Sequence, residues 1–207
     1  MSASKPEVHG AYIVLEGGEG AGKSTQAARL AGSIGAVLTR ETGGTPIGQR
    51  IRAILHDTNV DALAHEAEAF LMAADRAQHI HEVVEPALSN GIHVVSDRNW
   101  WSTIAYQGFG RELDIDKIVT ITKIATGKYF QPDLVFVLRA SKEVLRERMK
   151  GRVLDRFELA GDQFHERVNV GYEYLLDTYG GVLIDTEIGL DETASQIRNK
   201  CREVLNI

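Results

Sequence analysis

The stretch Ala11–Thr25, AYIVLEGGEGAGKST, decides the fold. Tyr12-Ile13-Val14-Leu15 is a short apolar run without alternation, the pattern of a strand covered on both faces. It leads into Gly17-Gly18-Glu19-Gly20-Ala21-Gly22-Lys23-Ser24, which fits G-x-x-x-x-G-K-[ST]. A helical pattern follows from about Lys23 to Ile34, with Ala27, Ala28, Leu30, Ala31 and Ile34 on its packing side. Glycines let the backbone bend so that several N–H groups point at one anion. Lys23 brings a mobile positive charge to the β- and γ-phosphates, and Ser24 offers a hydroxyl to Mg²⁺. The helix aims its positive end at the same phosphates. A chance match in a glycine-rich loop would lack the flanking strand and helix. The run Gly17, Gly18, Glu19, Gly20, Ala21, Gly22, Lys23, Ser24 and Thr25 is therefore the expected seat of ATP.

The chain has 207 residues, 43% of them hydrophobic, which suits one domain with a substantial core and at most a small lid. A net charge of −6 excludes a polyanion-binding surface of the usual basic kind, so no nucleic acid polymer is expected as partner. A few focused arginines still suffice for a small phosphorylated ligand. The single cysteine, Cys201, excludes an internal disulfide framework. No apolar run reaches the roughly 18 residues of a membrane span. The opening MSASKPEVHG lacks the apolar centre of a signal peptide, so the expected location is the cytoplasm.

Further strands are expected at Ala36–Thr39, Ile92–Val95, Leu134–Leu138 and Val182–Ile184. Helical spacing connects them: Ile47 to Leu55, about Asp61 to Ser89, Trp101 to Gln107, Ile115 to Thr126, Lys142 to Lys150, Phe164 to Tyr179 and Glu192 to Leu205. Strands alternating with helices imply βαβ units, hence an α/β fold with a five-stranded parallel sheet flanked by helices. Ligands in such sheets bind beyond the carboxyl ends of the strands. Glu16, Arg40, Asp97 and Arg98 all fall there, as does the phosphate loop.

Asp97 directly follows a strand, where a carboxylate pairs with the loop Ser24 to hold Mg²⁺ or its waters. It would equally serve as the N-cap of the next helix. Arg40, beside Gly43-Gly44, suits phosphate capture. Asp75 and Arg76 interrupt an apolar helix face, which either marks a site or a structural ion pair. The polar stretch from about 148 to 161 carries Arg148, Lys150, Arg152, Asp155, Arg156 and Glu158. It reads as a solvated loop or as a lid that excludes water and lends an arginine. Trp100-Trp101 reads as core or interface.

Taken in order, a set of motifs covers nearly the whole chain: Glu16–Thr25, Thr39-Arg40-Glu41, Gly43-Gly44-Thr45-Pro46-Ile47-Gly48, Ala73-Ala74-Asp75-Arg76-Ala77-Gln78-His79, Ser96-Asp97-Arg98, Ser102–Gly108, Pro132-Asp133-Leu134 and Asp155-Arg156-Phe157-Glu158. This combination resembles the thymidylate kinases. The resemblance implies phosphoryl transfer from ATP to dTMP, Mg²⁺ dependence, a P-loop fold with a lid at about 148–161, and a homodimer. It implies an acceptor set of Glu19, Arg40, Phe70, Met72, Arg76, Arg98, Ser102, Tyr106 and Gln107. It assigns catalysis to Lys23, Arg98 and a lid arginine, Arg152 or Arg156, and the metal to Ser24 and Asp97. Three positions depart from the family pattern. Thr42 stands where R-E-P-G-G has proline, Met72 stands where an aromatic residue commonly stacks on thymine, and Asn99 follows Asp97-Arg98. These leave a different nucleotide or nucleoside kinase as the nearest rival. A GTP-dependent switch would need a guanine-reading N-K-x-D, which is absent from the sequence. A non-catalytic binding module would have no use for Lys23, Ser24 and Asp97 together.

Overall fold

A computed structural model describes residues 9–60, 62–152 and 154–207. The strands are β1 (Tyr12–Gly17), β2 (Val37–Arg40), β3 (Val94–Asp97), β4 (Leu134–Arg139) and β5 (Val182–Asp185). They form one five-stranded parallel sheet in the order β2-β3-β1-β4-β5. The helices are α1 (Lys23–Ile34), α2 (Pro46–His56), α3 (His65–His79), α4 (Glu85–Ser89), α5 (Trp100–Thr103), α6 (Ile115–Thr126), α7 (Lys142–Met149), α8 (Asp162–Tyr179) and α9 (Leu190–Leu205).

The unalternating strands have a direct explanation in two separate cores. Tyr12, Val14, Val94, Val135 and Val137 face one, with Trp100, Trp101, Ile104 and Leu175. Ile13, Leu15, Val95, Leu134, Phe136 and Leu138 face the other, with Ala27, Leu30, Ile197 and Cys201. Side chains still alternate along each strand, but both destinations are apolar. Trp100 and Trp101 are core residues, with Trp100 stacked on Phe130 at a centroid distance of 4.3 Å.

Two helices are interrupted where the spacing predicts continuity. The expected helix from Asp61 to Ser89 is α3, a π-helical turn Ile80–Val84 and α4; Asp61 itself lies outside the described residues. Pro86 lacks an N–H and crowds the carbonyl four residues back, which breaks the α ladder there. The second interruption matters more for the site. After α5 the chain continues as a π-helix, Ile104–Gly110, which carries Tyr106 and Gln107. Strands β2 and β3 also run one or two residues further than their apolar runs suggest. Arg40 pairs with Asp97 in the ladder, and Leu15 pairs with Asp97 on its other side. The charged groups are therefore held by the sheet itself rather than by loops.

Candidate active site

The phosphate loop is built by close backbone approach. Gly17 has φ 131°, and a Cβ there would lie 2.2 Å from the Leu138 carbonyl oxygen. Gly22, at φ 91°, caps α1 in a left-handed conformation that favours glycine. Lys23 is buried and its Nζ donates to the Gly18 carbonyl at 2.7 Å. Burial lowers the Lys23 pKa and neighbouring Arg98 adds to it, against Glu19, Asp97 and Glu16. A cation at the head of a helix beside a glycine loop suits a phosphate.

Ser24 Oγ donates to Asp97 Oδ2 at 2.5 Å, and Asp97 Oδ1 is buried without a hydrogen-bond partner. The capping alternative for Asp97 is overturned, because Asn99 does that work: its Oδ1 accepts from the Trp101 N–H at 2.9 Å. A hydroxyl and a carboxylate oxygen with open valence fit a hard cation such as Mg²⁺. Among the described residues no group of three or more His, Cys, Asp or Glu is placed to hold a metal ion. Phosphate oxygens and water would complete such a coordination shell.

Arg98 is the centre of the site. Its φ is 74°, a strained conformation for a non-glycine residue. The turn is held by its own N–H donating to Leu15 at 2.9 Å and by Ser96 Oγ donating to its carbonyl at 2.7 Å. The guanidinium donates to Gly17 O at 3.0 Å, Ser102 Oγ at 2.9 Å, Tyr172 Oη at 3.1 Å and Tyr106 Oη at 3.3 Å, and it pairs with Glu19. Beneath it lies Glu16, fully buried. Glu16 accepts from the N–H groups of Asn99 and Ser102, from Ser102 Oγ and from Tyr172 Oη, all within 3.1 Å. Burial raises the Glu16 pKa, and Arg98 and these donors oppose that. Burial also acts to raise Glu19, but the charges of Arg98, Lys23 and Arg152 outweigh it and hold that carboxyl well below the usual range.

The acceptor side rests on a second buried ion pair. Arg76 Nε donates to Glu41 Oε2 at 2.7 Å and Nη2 donates to Thr103 Oγ1 at 2.9 Å, leaving Nη1 buried and unpartnered. His79 Nδ1 meets the other Glu41 oxygen at 2.9 Å, and its Nε2 meets Thr39 Oγ1 at 2.7 Å. Arg76 is thus both a structural ion-pair member and a residue with an open donor. The Glu41–Thr42 peptide bond is cis, and the Thr42 carbonyl accepts from Arg52 Nη1 at 3.1 Å.

A crevice of about 250 Å³ joins the two halves. Lys23, Ser24, Asp97 and Arg98 line it on the loop side. Glu19, Arg40, Met72, Arg76, Ser102, Tyr106, Gln107 and Arg152 also line it. Two residues of the expected acceptor and catalytic sets do not, and of the loop only Glu19, Lys23 and Ser24 reach this crevice. Phe70 is 60% exposed on the outer side of α3, because only positions spaced with Met72 and Arg76 turn inward. Arg156 is drawn away: Nε donates to Leu55 O at 3.0 Å and Nη2 to Glu68 Oε2 at 2.6 Å. Residues the sequence reading missed include Arg52, Thr103, Tyr172 and Glu68. Arg52, one helical turn after Gly48, carried no signal of its own in the sequence; Gly48 is fixed by packing, since a Cβ there would lie 2.2 Å from Asp75 Oδ1.

That contact makes Asp75 informative. Its Oδ1 accepts from Gly43 N–H at 3.0 Å while Oδ2 is buried and unpartnered. Burial, reinforced by Glu41, pushes its pKa up to about 6 from 3.8. A raised carboxyl favours the fold below its unfolded pKa and loses that contribution as pH rises through about 6. Asp75→Asn is therefore expected to gain stability on wild type as pH rises from about 4 to about 6, reaching up to about 3 kcal/mol and holding that gain at higher pH. Melting temperatures at a series of pH values check this; a pH-independent difference refutes it.

A parallel sheet with a phosphate loop at its switch point, a Ser–Asp pair and arginines on one crevice defines a P-loop kinase acting on a small phosphorylated acceptor. The family model described as thymidylate kinase matches residues 15–197. The chain belongs to the thymidylate kinase family. It is 39% identical to a thymidylate kinase of Synechococcus sp. (strain RCC307) over 97% of this chain and 99% of that one. It is 40% identical to the Gloeobacter violaceus thymidylate kinase over 94% and 96%. The crystal structure of thymidylate kinase from Ehrlichia chaffeensis superimposes with a TM-score of 0.75 at 25% identity, covering 96% of this chain and all of that one.

Proposed function

We propose that this enzyme, which phosphorylates dTMP to dTDP with a nucleotide donor, draws on ATP and moves its γ-phosphoryl group directly and in line. The bond from the γ-phosphorus to the β,γ-bridging oxygen breaks, a bond to a dTMP phosphate oxygen forms, and ADP departs. The acceptor phosphate is largely dianionic near neutral pH, its second pKa being about 6. No strong general base is needed, so catalysis is positioning plus charge neutralisation. The observation that carries this reading is the convergence of Lys23, the Ser24–Asp97 pair and Arg98 on one crevice.

Lys23 and the loop N–H groups bind the β- and γ-phosphates. Ser24 and Asp97 would hold Mg²⁺, which would supply neutralisation of the charge on the transferring phosphates. Arg98 and Arg40 hold the acceptor phosphate, and Glu19 contacts the acceptor sugar. Met72, Tyr106, Gln107 and Arg76 enclose the base. The segment at about 148–161 acts as a lid; Val153 lies outside the described residues. Arg152 is the lid arginine that serves the transition state, since it lines the crevice and Arg156 does not. We also propose a homodimer working in the cytoplasm, which rests on the family resemblance. No helix among the described residues is long and apolar enough to cross a membrane.

Steady-state ADP release with dTMP tests this. Chelating Mg²⁺ is expected to abolish turnover. Arg152→Ala is expected to lower kcat by about 10² or more with the dTMP KM little changed. Arg156→Ala is expected to act on KM and stability instead. The opposite pattern for the two arginines would reject the assignment, and full activity without a divalent cation would reject the Ser24–Asp97 role.

A further inference from the structure

Glu68 is fully buried in the first turn of α3 and does not line the crevice. Its carboxylate gathers donors from three directions. Oε1 accepts from Gln107 Nε2 at 2.8 Å. Oε2 accepts from Arg156 Nη2 at 2.6 Å. Arg111 bridges both oxygens at 3.3 Å. A carboxylate facing two guanidinium groups only accepts, so the amide nitrogen of Gln107 must turn toward it. That fixes which way round the amide lies. Gln107 Oε1 is left buried with no partner, in a side chain that lines the acceptor crevice. Arg76 is left in the complementary state, its Nη1 an unpartnered donor on the same crevice.

One free acceptor and one free donor match a base edge that carries N3–H and O4. Cytosine presents the reverse, an acceptor at N3 and an amino group at C4. We propose that Glu68 is a positioning residue for base selection: by holding the Gln107 amide one way round, it makes the site prefer bases with an N3–H. The proposal rests on the dTMP-acceptor reading above and adds to it a residue outside the crevice. The same carboxylate holds Arg156, so the lid base and the base-reading amide share one anchor.

The test compares dTMP, dUMP and dCMP as acceptors for wild type and Glu68→Gln. An amide at position 68 both donates and accepts, so Gln107 is released to turn over. The expected result is a rise of about tenfold or more in the KM for dTMP and dUMP alike, from one lost and one opposed hydrogen bond. The KM for dCMP should stay level or fall, and that for ATP should not move. Glu68→Asp retains the charge that Arg111 and Arg156 need but falls about one bond short of Gln107. It is expected to shift selectivity in the same direction, and it decides the matter if Glu68→Gln does not fold. Arg111→Gln is the control: it removes an ion pair from Glu68, should lower the melting temperature, and should leave the dTMP:dCMP ratio unchanged. Selectivity unaltered in the Glu68 variants, whatever their stability, overturns the proposal. A wild type without preference for dTMP would overturn the acceptor reading instead.

Discussion

Lys23→Ala is expected to lower kcat by about 10³ or more while leaving the protein folded, by comparison with other groups that neutralise phosphate charge in this chemistry. The size follows from burial. Lys23 is only 6% exposed, so water contributes little screening where its charge meets the phosphates. Among the described residues its side chain makes one hydrogen bond, to the Gly18 carbonyl. A cation whose charged form is disfavoured by desolvation and by Arg98 gains most when an anion arrives. Stability should change little, because Lys23 opens α1, alanine is the best helix former, and removing a buried cation beside Arg98 relieves repulsion. Single-turnover rates and a thermal melt check both halves. A rate within tenfold of wild type would mean that the loop binds phosphate without Lys23.

The second large effect is at Arg98. Arg98→Ala is expected to reduce kcat/KM for dTMP by about 10³ or more, with both kcat and KM affected, because one guanidinium meets the acceptor phosphate and the developing charge. It should also cost roughly 3–5 kcal/mol of stability, the usual penalty for breaking a buried ion pair from one side. Arg98→Lys should rescue little of the activity. A single ammonium cannot reproduce the fork that reaches Gly17, Ser102, Tyr106, Tyr172 and Glu19 together. The stability loss has a defined pH dependence. Arg98 depresses the Glu19 pKa, so its contribution is complete above the ordinary carboxylate value and is lost as pH falls through the depressed one. The gap between wild type and Arg98→Ala should therefore be widest near neutrality and narrow in strong acid. A constant gap from pH 7 to 3 would show that Glu19 does not depend on Arg98.

The contrast between these two residues and Glu68 shows what the chain reveals directly. The convergence of Lys23, Ser24, Asp97 and Arg98 on one crevice is legible because their placement follows from local position: a loop after a strand, a charge at a strand end. The parallel sheet is legible because both faces are apolar and the strands lose their alternation. Glu68 is not legible in this way. It sits in a helical stretch as one acidic residue among several, and its three partners lie 39, 43 and 88 positions away. The choice between Arg152 and Arg156 depends on the same long-range contact. Phe70 shows the limit of helical spacing in a helix whose register against the sheet is set elsewhere. The π-helical turn through Tyr106 and Gln107 was equally hidden, since its residues keep an ordinary helical pattern while the backbone adds a residue to the turn.

The pairing of Glu19 with Arg98 carries a last consequence. The Arg98 guanidinium is paired with the Glu19 carboxylate, so an acceptor anion has to compete with Glu19 for it. An arriving group must displace that carboxylate, and only one with more negative charge than a single carboxylate gains by the exchange. A phosphate dianion qualifies; an uncharged nucleoside does not. If Arg98 receives the acceptor phosphate as proposed, charge selects the acceptor before the base is read: a dTMP phosphate can displace Glu19, and thymidine, which carries no anion, cannot.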